Sequence, residues 1–423
     1  MSAIRDRQEV GLVKSSADEH PRSALRAINR TTTSTQQFDV GFSFPVYFTR
    51  QLFDPANNVL LDVVNRLESG RRHRVFFVVD ENVQRAIPGL TDEIRMYLSE
   101  FDRSMELLRE PLVVPGGEAS KNDFENVIDV MRHLNDVAID RHSFVVVIGG
   151  GAVLDMVCFA SAIAHRGIRT IRVPTTVLSQ ADSGVGVKNG VNLFGKKNFA
   201  GTFVPPFAVI NDVRFLETLP RRDKIAGLAE SVKVALIRDR EFFEFLEANV
   251  DGLTAADPEL LSIQIRRCAE LHVRHIGTSG DPFELGSARP LDFGHWAAHK
   301  LESMTNNRLR HGEAVAIGMA LDLIYSGLAG YLSEARVERA LSLLEGLGFQ
   351  LWDAALDQTG PDGRLAVLAG ISEFREHLGG TLHITLIREI GYGFEVNEMR
   401  EELVSDAIGR LASRSVRASV DAR

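Results

Sequence analysis

The sequence predicts an α/β domain followed by a mainly helical one. Short apolar runs alternate with helix-like stretches up to about residue 212, and a triple glycine, Gly149–Gly151, closes one of these runs. Beyond about residue 213 the apolar positions recur at helical spacing. Strands that are apolar on both faces and separated by helices indicate a parallel sheet covered on both sides. The expected boundaries are a tail over 1–36, the α/β domain over 37–212, the helical domain over 213–411 and a second tail over 412–423.

Residues 1–36 are rich in Ser, Thr, Arg and acidic residues and lack apolar periodicity, as expected of a segment without a core. RVFFVVD (74–80) is an apolar, β-branched and aromatic run closed by Asp80. SFVVVIGG (143–150) is a second strand, stopped by glycines, and TIRVPTT (170–176) a third, broken by Pro174. Helices are expected over 121–137 and 152–165. SGVGVKNGVNLFGKKNFAGTF (183–203) alternates and carries five glycines, so it reads as a hairpin or as a loop held close to a ligand. Helical stretches follow over 221–249, 258–277, 290–304, 311–333 and 335–347, with one late strand in TLHITLI (381–387). No repeat of fixed period is present.

The chain has 423 residues, 44% hydrophobic and 25% charged, which suits a globular protein with more than one core. A net charge of −9 argues against nucleic acid or an anionic membrane surface as the main partner, because phosphate backbones need a basic face. Cys158 and Cys268 are too few and too far apart for a disulfide framework, which fits a reducing, cytoplasmic setting. Neither a signal-peptide pattern nor a membrane-length apolar run is present.

VVVIGGGAVLD (145–155) is strand, glycine turn and helix start. Glycines there let the backbone approach a pyrophosphate, and the helix that follows offers free N–H groups and the positive end of its dipole. The pattern is not GxGxxG, and a tight strand–helix turn explains it equally well. Asp155 is placed to cap or steady this loop. Asp80, at the end of an earlier strand, suits a ribose hydroxyl or a turn.

Three separated segments, GLAESVK (227–233), DFGHWAAH (292–299) and RHGE (310–313), supply one carboxylate and two imidazoles. Glu230 and Lys233 are three apart on an expected helix and share a face. Asp292, His295 and His299 share another, and His311 opens the next helix. Glu230, His295 and His311 suit a divalent ion such as zinc with a position left open for substrate. Arg166, Lys188, Lys197, Asn198 and Lys233 flank glycine-rich or apolar segments. Lys188 and Lys197 lie inside the glycine-dense hairpin, where cations beside close-approaching backbone suit an anionic substrate.

GGGAVLD, HRG, VPTT, QADSGVGVKNGVN, GKKN, FLETLP, GLAESVK, FGHWAAH and RHGE resemble, in this order, the motifs of the sugar phosphate cyclases, the 3-dehydroquinate synthase superfamily. The likeness runs from about residue 74 to 330 and weakens towards 393. It implies an α/β N-terminal nucleotide-binding domain and an all-helical C-terminal metal-binding domain. It implies Glu230, His295 and His311 as ligands of zinc or cobalt. It implies NAD contacts from Asp80, Asn82, Glu118, Lys121, Gly150, Gly151, Asp155, Thr175, Thr176, Phe215, Thr218 and Leu219. Asp182, Lys188, Lys197, Asn198, Lys233 and His299 would face the substrate, with Arg166 on its phosphate. The implied reaction is transient oxidation by NAD, loss of phosphate, return of the hydride, ring opening and aldol closure. A homodimer is a further expectation of the family.

Several positions depart from the dehydroquinate synthase pattern. Where those enzymes hold the substrate carboxylate with a Lys and an Arg, this chain has His272 and Ala288, with Arg289 one residue out of register. Asp292 replaces an Asn, and His377 replaces a later Lys. Such losses disfavour a carboxylate-bearing substrate, while Asp292 can accept hydrogen bonds from sugar hydroxyls. The pattern is similar to the branch that cyclises sedoheptulose 7-phosphate. Retention of His299, where 2-epi-5-epi-valiolone synthases carry Pro, is most like 2-epi-valiolone synthases. The alternatives are 2-epi-5-epi-valiolone synthase, 3-dehydroquinate synthase, a metal-dependent alcohol dehydrogenase and a non-catalytic homologue.

Overall fold

The computed structural model describes residues 34–38, 40–278, 283, 291–377 and 380–421. The chain divides into two compact units, Met1–Phe42 and Ser43–Arg423. The described residues of the first carry no helix or strand.

The second unit begins with a seven-stranded sheet. Its strands are β1 (Val46–Thr49), β2 (His73–Asp80), β3 (Met105–Leu107), β4 (Leu112–Val114), β5 (Phe144–Gly149) and β6 (Arg169–Pro174), joined later by a seventh. Between them β7 (Lys188–Leu193) and β8 (Lys196–Phe203) form a separate antiparallel hairpin, and β9 (Ala208–Asp212) completes the sheet. The order is β1-β9-β6-β5-β2-β3, with β4 also beside β2, and all pairs are parallel. Successive residues of a strand point to opposite faces, so Val75, Phe77 and Val79 of β2 enter one core while Phe76 and Val78 enter another. Both faces of β2 are covered, which is why the run shows no polar alternation.

Helices α1 (Phe124–Asp136) and α2 (Gly151–Ile163) pack on the Phe76 and Val78 face. Asp123 caps α1, its carboxylate accepting from Glu125 N at 2.9 Å, so Lys121 falls in the short turn before the helix. From β2 the chain goes to β4 on one side and returns to β5 on the other. The C-terminal ends of β2 and β5 therefore flank the point where the strand order reverses, the usual place for a ligand crevice in an open parallel sheet.

The remainder is built on α3 (Leu228–Arg238), α4 (Pro258–Thr278), α5 (His295–Met304), α6 (His311–Leu328), α7 (Glu334–Gly346) and α8 (Glu401–Asp421), which share one apolar core. It is not wholly helical. The expected late strand lies at β10 (Ile384–Glu389) and pairs with β11 (Tyr392–Val396), which the sequence reading did not anticipate. Gly391, at φ 90°, makes the reversal between them. The second expected tail is also helical, since α8 crosses residue 411 and runs to Asp421. Arg414 ties it to α7 through paired bonds of 2.6–2.8 Å to Glu338 and Glu345.

Two backbone contacts set how the helices of the site meet. Gly294, just before α5, and Gly318 in α6 touch so closely that a Cβ on Gly318 would lie 2.0 Å from Gly294 O. A Cβ on Gly312, in the first turn of α6, would lie 1.8 Å from Ala226 O.

Candidate active site

The crevice at the ends of β2 and β5 is lined by the residues expected to meet a dinucleotide. Asp80 caps the helical turn that follows β2, its Oδ1 accepting from Asn82 N at 2.8 Å. Burial pushes its carboxyl up, against the donors of Asn82 and Gly150. Beside it, a Cβ on Gly116 would lie 2.0 Å from Asp80 Oδ1 and 2.2 Å from Asn82 Nδ2. Gly150 caps α2 and packs near Thr176, and a Cβ on Gly151 would sit 2.7 Å from Ser183 Oγ. That hydroxyl is buried and finds no hydrogen-bond partner among the described residues. Thr175 N donates to Gly149 O at 3.0 Å, joining β6 to the glycine turn. An unpartnered hydroxyl facing a side-chain-free turn at a helix N-terminus fits a pyrophosphate.

At the other side of this turn Lys121 is buried, with Nζ 2.7 Å from Asp155 Oδ2 and also bonded to Asn198 Oδ1. Glu118 Oε1 accepts from Asn192 Nδ2 of β7 at 3.1 Å. Asp155 thus anchors a lysine. Phe215, Thr218 and Leu219 follow the end of β9: Phe215 is buried, Leu219 partly so, and Thr218 Oγ1 donates to Phe215 O at 3.2 Å.

Glu230, His295 and His311 converge from α3 and from the first residues of α5 and α6, with one donor atom of each within 4.8 Å of the others. Glu230 Oε1 is 3.9 Å from His295 Nε2 and 3.6 Å from His311 Nε2. The Glu230 side chain is fully buried, and neither oxygen makes a hydrogen bond of ordinary geometry, although Lys233 Nζ presses on Oε2 as an ion pair. A buried carboxylate left this way costs free energy unless something else satisfies it, and a divalent ion between the three donors would do so. Burial, with the charges of Lys233 and the other imidazoles, holds the pKa of His295 well below the ordinary value, so it stands ready as a neutral ligand. Burial also opposes the charged form of His311, but the carboxylates of Glu302 and Glu230 together overcome it and lift that pKa to about 9. Asp322 steadies the loop before His295, accepting from Gly294 N and Trp296 Nε1, each at 2.9 Å.

Around this triad lie most of the residues expected to face substrate. Asp182 Oδ2 is 3.9 Å from Lys233 Nζ, and Asp182 Oδ1 is 2.7 Å from His272 Nδ1. Burial would raise the Asp182 carboxyl, but His272 and Lys233 hold it well below the carboxylate range. The charge of Asp292 reaches Lys233 and, with Glu230 and Asp182, raises its pKa against burial. The His299 ring is 5.4 Å from that of His295 and 6.2 Å from that of His311. Lys197 Nζ donates to Glu302 Oε1 at 2.8 Å, and Asn198, at φ 52°, offers Oδ1 to Lys121. Lys188 is exposed at the start of β7.

Arg166 does not join them within this chain. It is exposed in the left-handed turn after α2, at the N-terminal end of β6, whereas the site lies at the C-terminal ends of the strands. A helix that starts above β5 must return below β6, and that carries Arg166 to the opposite end of the sheet. His377 ends a helix, Ala369–His377, and its side chain lies outside the described residues, as do Ala288 and Arg289.

Two residues of the site escaped the sequence reading. Arg172, from β6, is fully buried and donates from Nη1 to Gly186 O at 2.7 Å and Gly184 O at 3.1 Å, and from Nη2 to Asn189 Oδ1 at 2.5 Å. It shapes the loop that delivers Lys188. Glu302, on α5, accepts from both Lys197 and His311. Its position seven residues after His295 and three after His299, on the same helical face, was a usable signal.

Known proteins share the sequence pattern and the fold of this chain. Residues 111–226 match the family model described as 3-dehydroquinate synthase N-terminal, and residues 227–362 match 3-dehydroquinate synthase C-terminal. The chain is 36% identical over 312 residues to a 3-dehydroquinate synthase of Halorhodospira halophila, covering 71% of this chain and 86% of the relative. It is 33% identical over 329 residues to a 2-epi-valiolone synthase of Actinosynnema mirum, covering 76% and 85%. A solved 2-epi-5-epi-valiolone synthase of Streptomyces hygroscopicus subsp. jinggangensis, with NAD+ and Zn2+ bound, superposes with a TM-score of 0.79 at 28% identity, covering 90% of this chain and 100% of that one. With both family models matched in sequence and the carboxylate–imidazole triad assembled at the sheet's open end, the chain belongs to the 3-dehydroquinate synthase family.

Proposed function

We propose that this protein is a sugar phosphate cyclase that converts sedoheptulose 7-phosphate to a valiolone-type cyclitol, 2-epi-valiolone, with release of phosphate. NAD would supply a reversible hydride acceptor and a divalent zinc or cobalt ion a Lewis acid for the reacting oxygen. Glu230, His295 and His311 would hold the ion, and Asp80, the Gly149–Gly151 turn and Ser183 would cradle the dinucleotide. Lys233 is held cationic by the carboxylates around it, so it can stabilise oxyanion charge rather than act as a base at neutral pH. His299 stands beside both ligand imidazoles, placed to orient a phosphate or hydroxyl.

One observation carries the choice of substrate. At the position where the family resemblance expects a lysine for a carboxylate, His272 instead contacts Asp182, and Asp292 adds another negative charge near Lys233. A free carboxylate on the substrate would be repelled there, while sugar hydroxyls find acceptors. The test is phosphate release from sedoheptulose 7-phosphate by purified protein with NAD+ and zinc or cobalt, without net NADH, and with the product identified by NMR. No phosphate release under these conditions would end the proposal.

A second reading, 3-dehydroquinate synthase, is favoured by the name of the relative with 36% identity. The same assay with the acidic seven-carbon phosphate substrate decides between them, and accumulation of NADH would indicate a simple alcohol dehydrogenase instead. Homodimerisation belongs to this proposal and is tested by light scattering.

A further inference from the structure

We propose that Glu302 is a positioning residue that fixes the metal ligand His311 and the hairpin cation Lys197 together, so that the metal centre and the substrate-facing hairpin share one carboxylate. The proposal rests on the metal reading above and deepens it.

Glu302 lies on α5, seven residues after His295, and is 4% exposed. Its two oxygens have separate tasks. Oε2 is 3.1 Å from His311 Nδ1, and Oε1 accepts from Lys197 Nζ at 2.8 Å. A carboxylate can only accept, so the proton between it and His311 sits on Nδ1. Nε2 then faces the space shared with Glu230 Oε1, 3.6 Å away, where an ion that displaces its proton would find the lone pair. A carboxylate behind an imidazole fixes its tautomer and ring plane and makes it a better donor to metal. His295 is oriented by a different partner, with Nδ1 3.2 Å from the carbonyl of Phe293.

The second arm gives the arrangement a consequence beyond metal binding. Lys197 stands on β8, 105 residues away in sequence from Glu302, and the hairpin of β7 and β8 is not part of the main sheet. The hairpin also carries Lys188 and Asn198. A lysine stem is flexible in solution, and the partly buried ion pair with Glu302 restricts that freedom. Loss of the Glu302 charge would therefore loosen both the ring of His311 and the hairpin.

The experiment compares wild type with Glu302→Gln, which keeps the size of the side chain but turns one acceptor into a donor. Each protein is stripped of metal and titrated with Co2+, followed by visible absorption and by competition with a chelator, without substrate. Amide hydrogen exchange over residues 188–203 is measured on the same samples. We expect the variant to bind Co2+ about 10–100-fold more weakly and its hairpin amides to exchange faster. Equal Co2+ affinity in the two proteins would overturn the proposal while leaving the metal reading intact. Absence of Co2+ binding by wild type would instead overturn the metal reading. Should Glu302→Gln fail to fold, wild type loaded with 113Cd decides, through its coupling to 15N-labelled histidine. Coupling to Nε2 of His311 with a protonated Nδ1 is expected, and coupling to Nδ1 would refute the assignment.

Discussion

Gly312→Ala should destroy the metal site without touching a ligand atom. Gly312 follows His311 directly, and an added Cβ would lie 1.8 Å from Ala226 O and 2.7 Å from Ala226 C. Both are backbone atoms, so no side chain can rotate away. To reach even 3.0 Å, below which real Cβ contacts essentially never fall, the start of α6 must retreat by about an ångström. Metal–ligand distances tolerate about 0.2 Å, so His311 would leave the coordination sphere while His295 and Glu230 stayed. The overpacking itself should cost about 1–3 kcal/mol of stability. The assay is metal content by mass spectrometry after dialysis against limiting zinc, with thermal unfolding alongside. Gly409→Ala is the matched control: a Cβ there meets nothing within 4 Å on exposed α8, and it should stabilise the helix by about 0.5–1 kcal/mol. Full metal occupancy and full turnover in Gly312→Ala would refute the view that backbone contact sets the position of His311.

Other outcomes follow from the same structure. His311→Ala should lose metal and phosphate release together, and full turnover after exhaustive chelation of wild type would show that the ligand set is wrong. Cys158 and Cys268 are fully buried with their thiol pKa values pushed up by burial, so neither should react with a thiol reagent until the protein unfolds, as quantitative labelling of native protein would disprove. Burial lifts Asp322 from an ordinary 3.8 to about 7, against its two donors. Since the folded chain then holds a proton that the unfolded chain has released, this group's contribution falls as pH rises from about 4 to about 7, by about 4 kcal/mol at most. Asn mimics the protonated acid, so the stability of Asp322→Asn relative to wild type should rise across that window in denaturant titrations, and a constant difference would contradict the assignment.

The parts of the fold that were legible in the sequence are those governed by local pattern. RVFFVVD and SFVVVIGG had to be buried strands because nothing polar interrupts them, and their placement in mid-sheet is the reason. Alternation and glycines over 183–203 left a hairpin or a ligand-facing loop open, and the hairpin proper occupies Lys188–Phe203. β11 was not legible, since YGFEV is short, half exposed and acquires meaning through its partner β10. The C-terminal end of α8 was also hidden, because its Ser and Arg content suggests fraying and its anchors, Glu338 and Glu345, lie on another helix. Within the site, residue types with strong chemical signatures could be named one at a time. Arg166 was named for its charge and through the family resemblance, and topology places it at the N-terminal end of the sheet of this chain. Arg172 was passed over because a cation inside a strand reads as an interruption, yet its buried guanidinium donates to four acceptors of the segment bearing Lys188.

The charges of the assembled cluster carry an argument that no single residue could. Glu230, Asp182, Asp292 and Glu302 surround the triad, while Lys233 and Lys197 are the ammonium groups bonded to or near them. Four carboxylates against two ammonium groups leave an excess of negative charge around the triad, part of it facing the imidazoles of His272 and His311. Uncompensated buried charge is too costly to persist unless it is neutralised or paired. Lys233 and Lys197 are each committed to carboxylates of the cluster. One divalent ion on Glu230, His295 and His311 would offset such an excess.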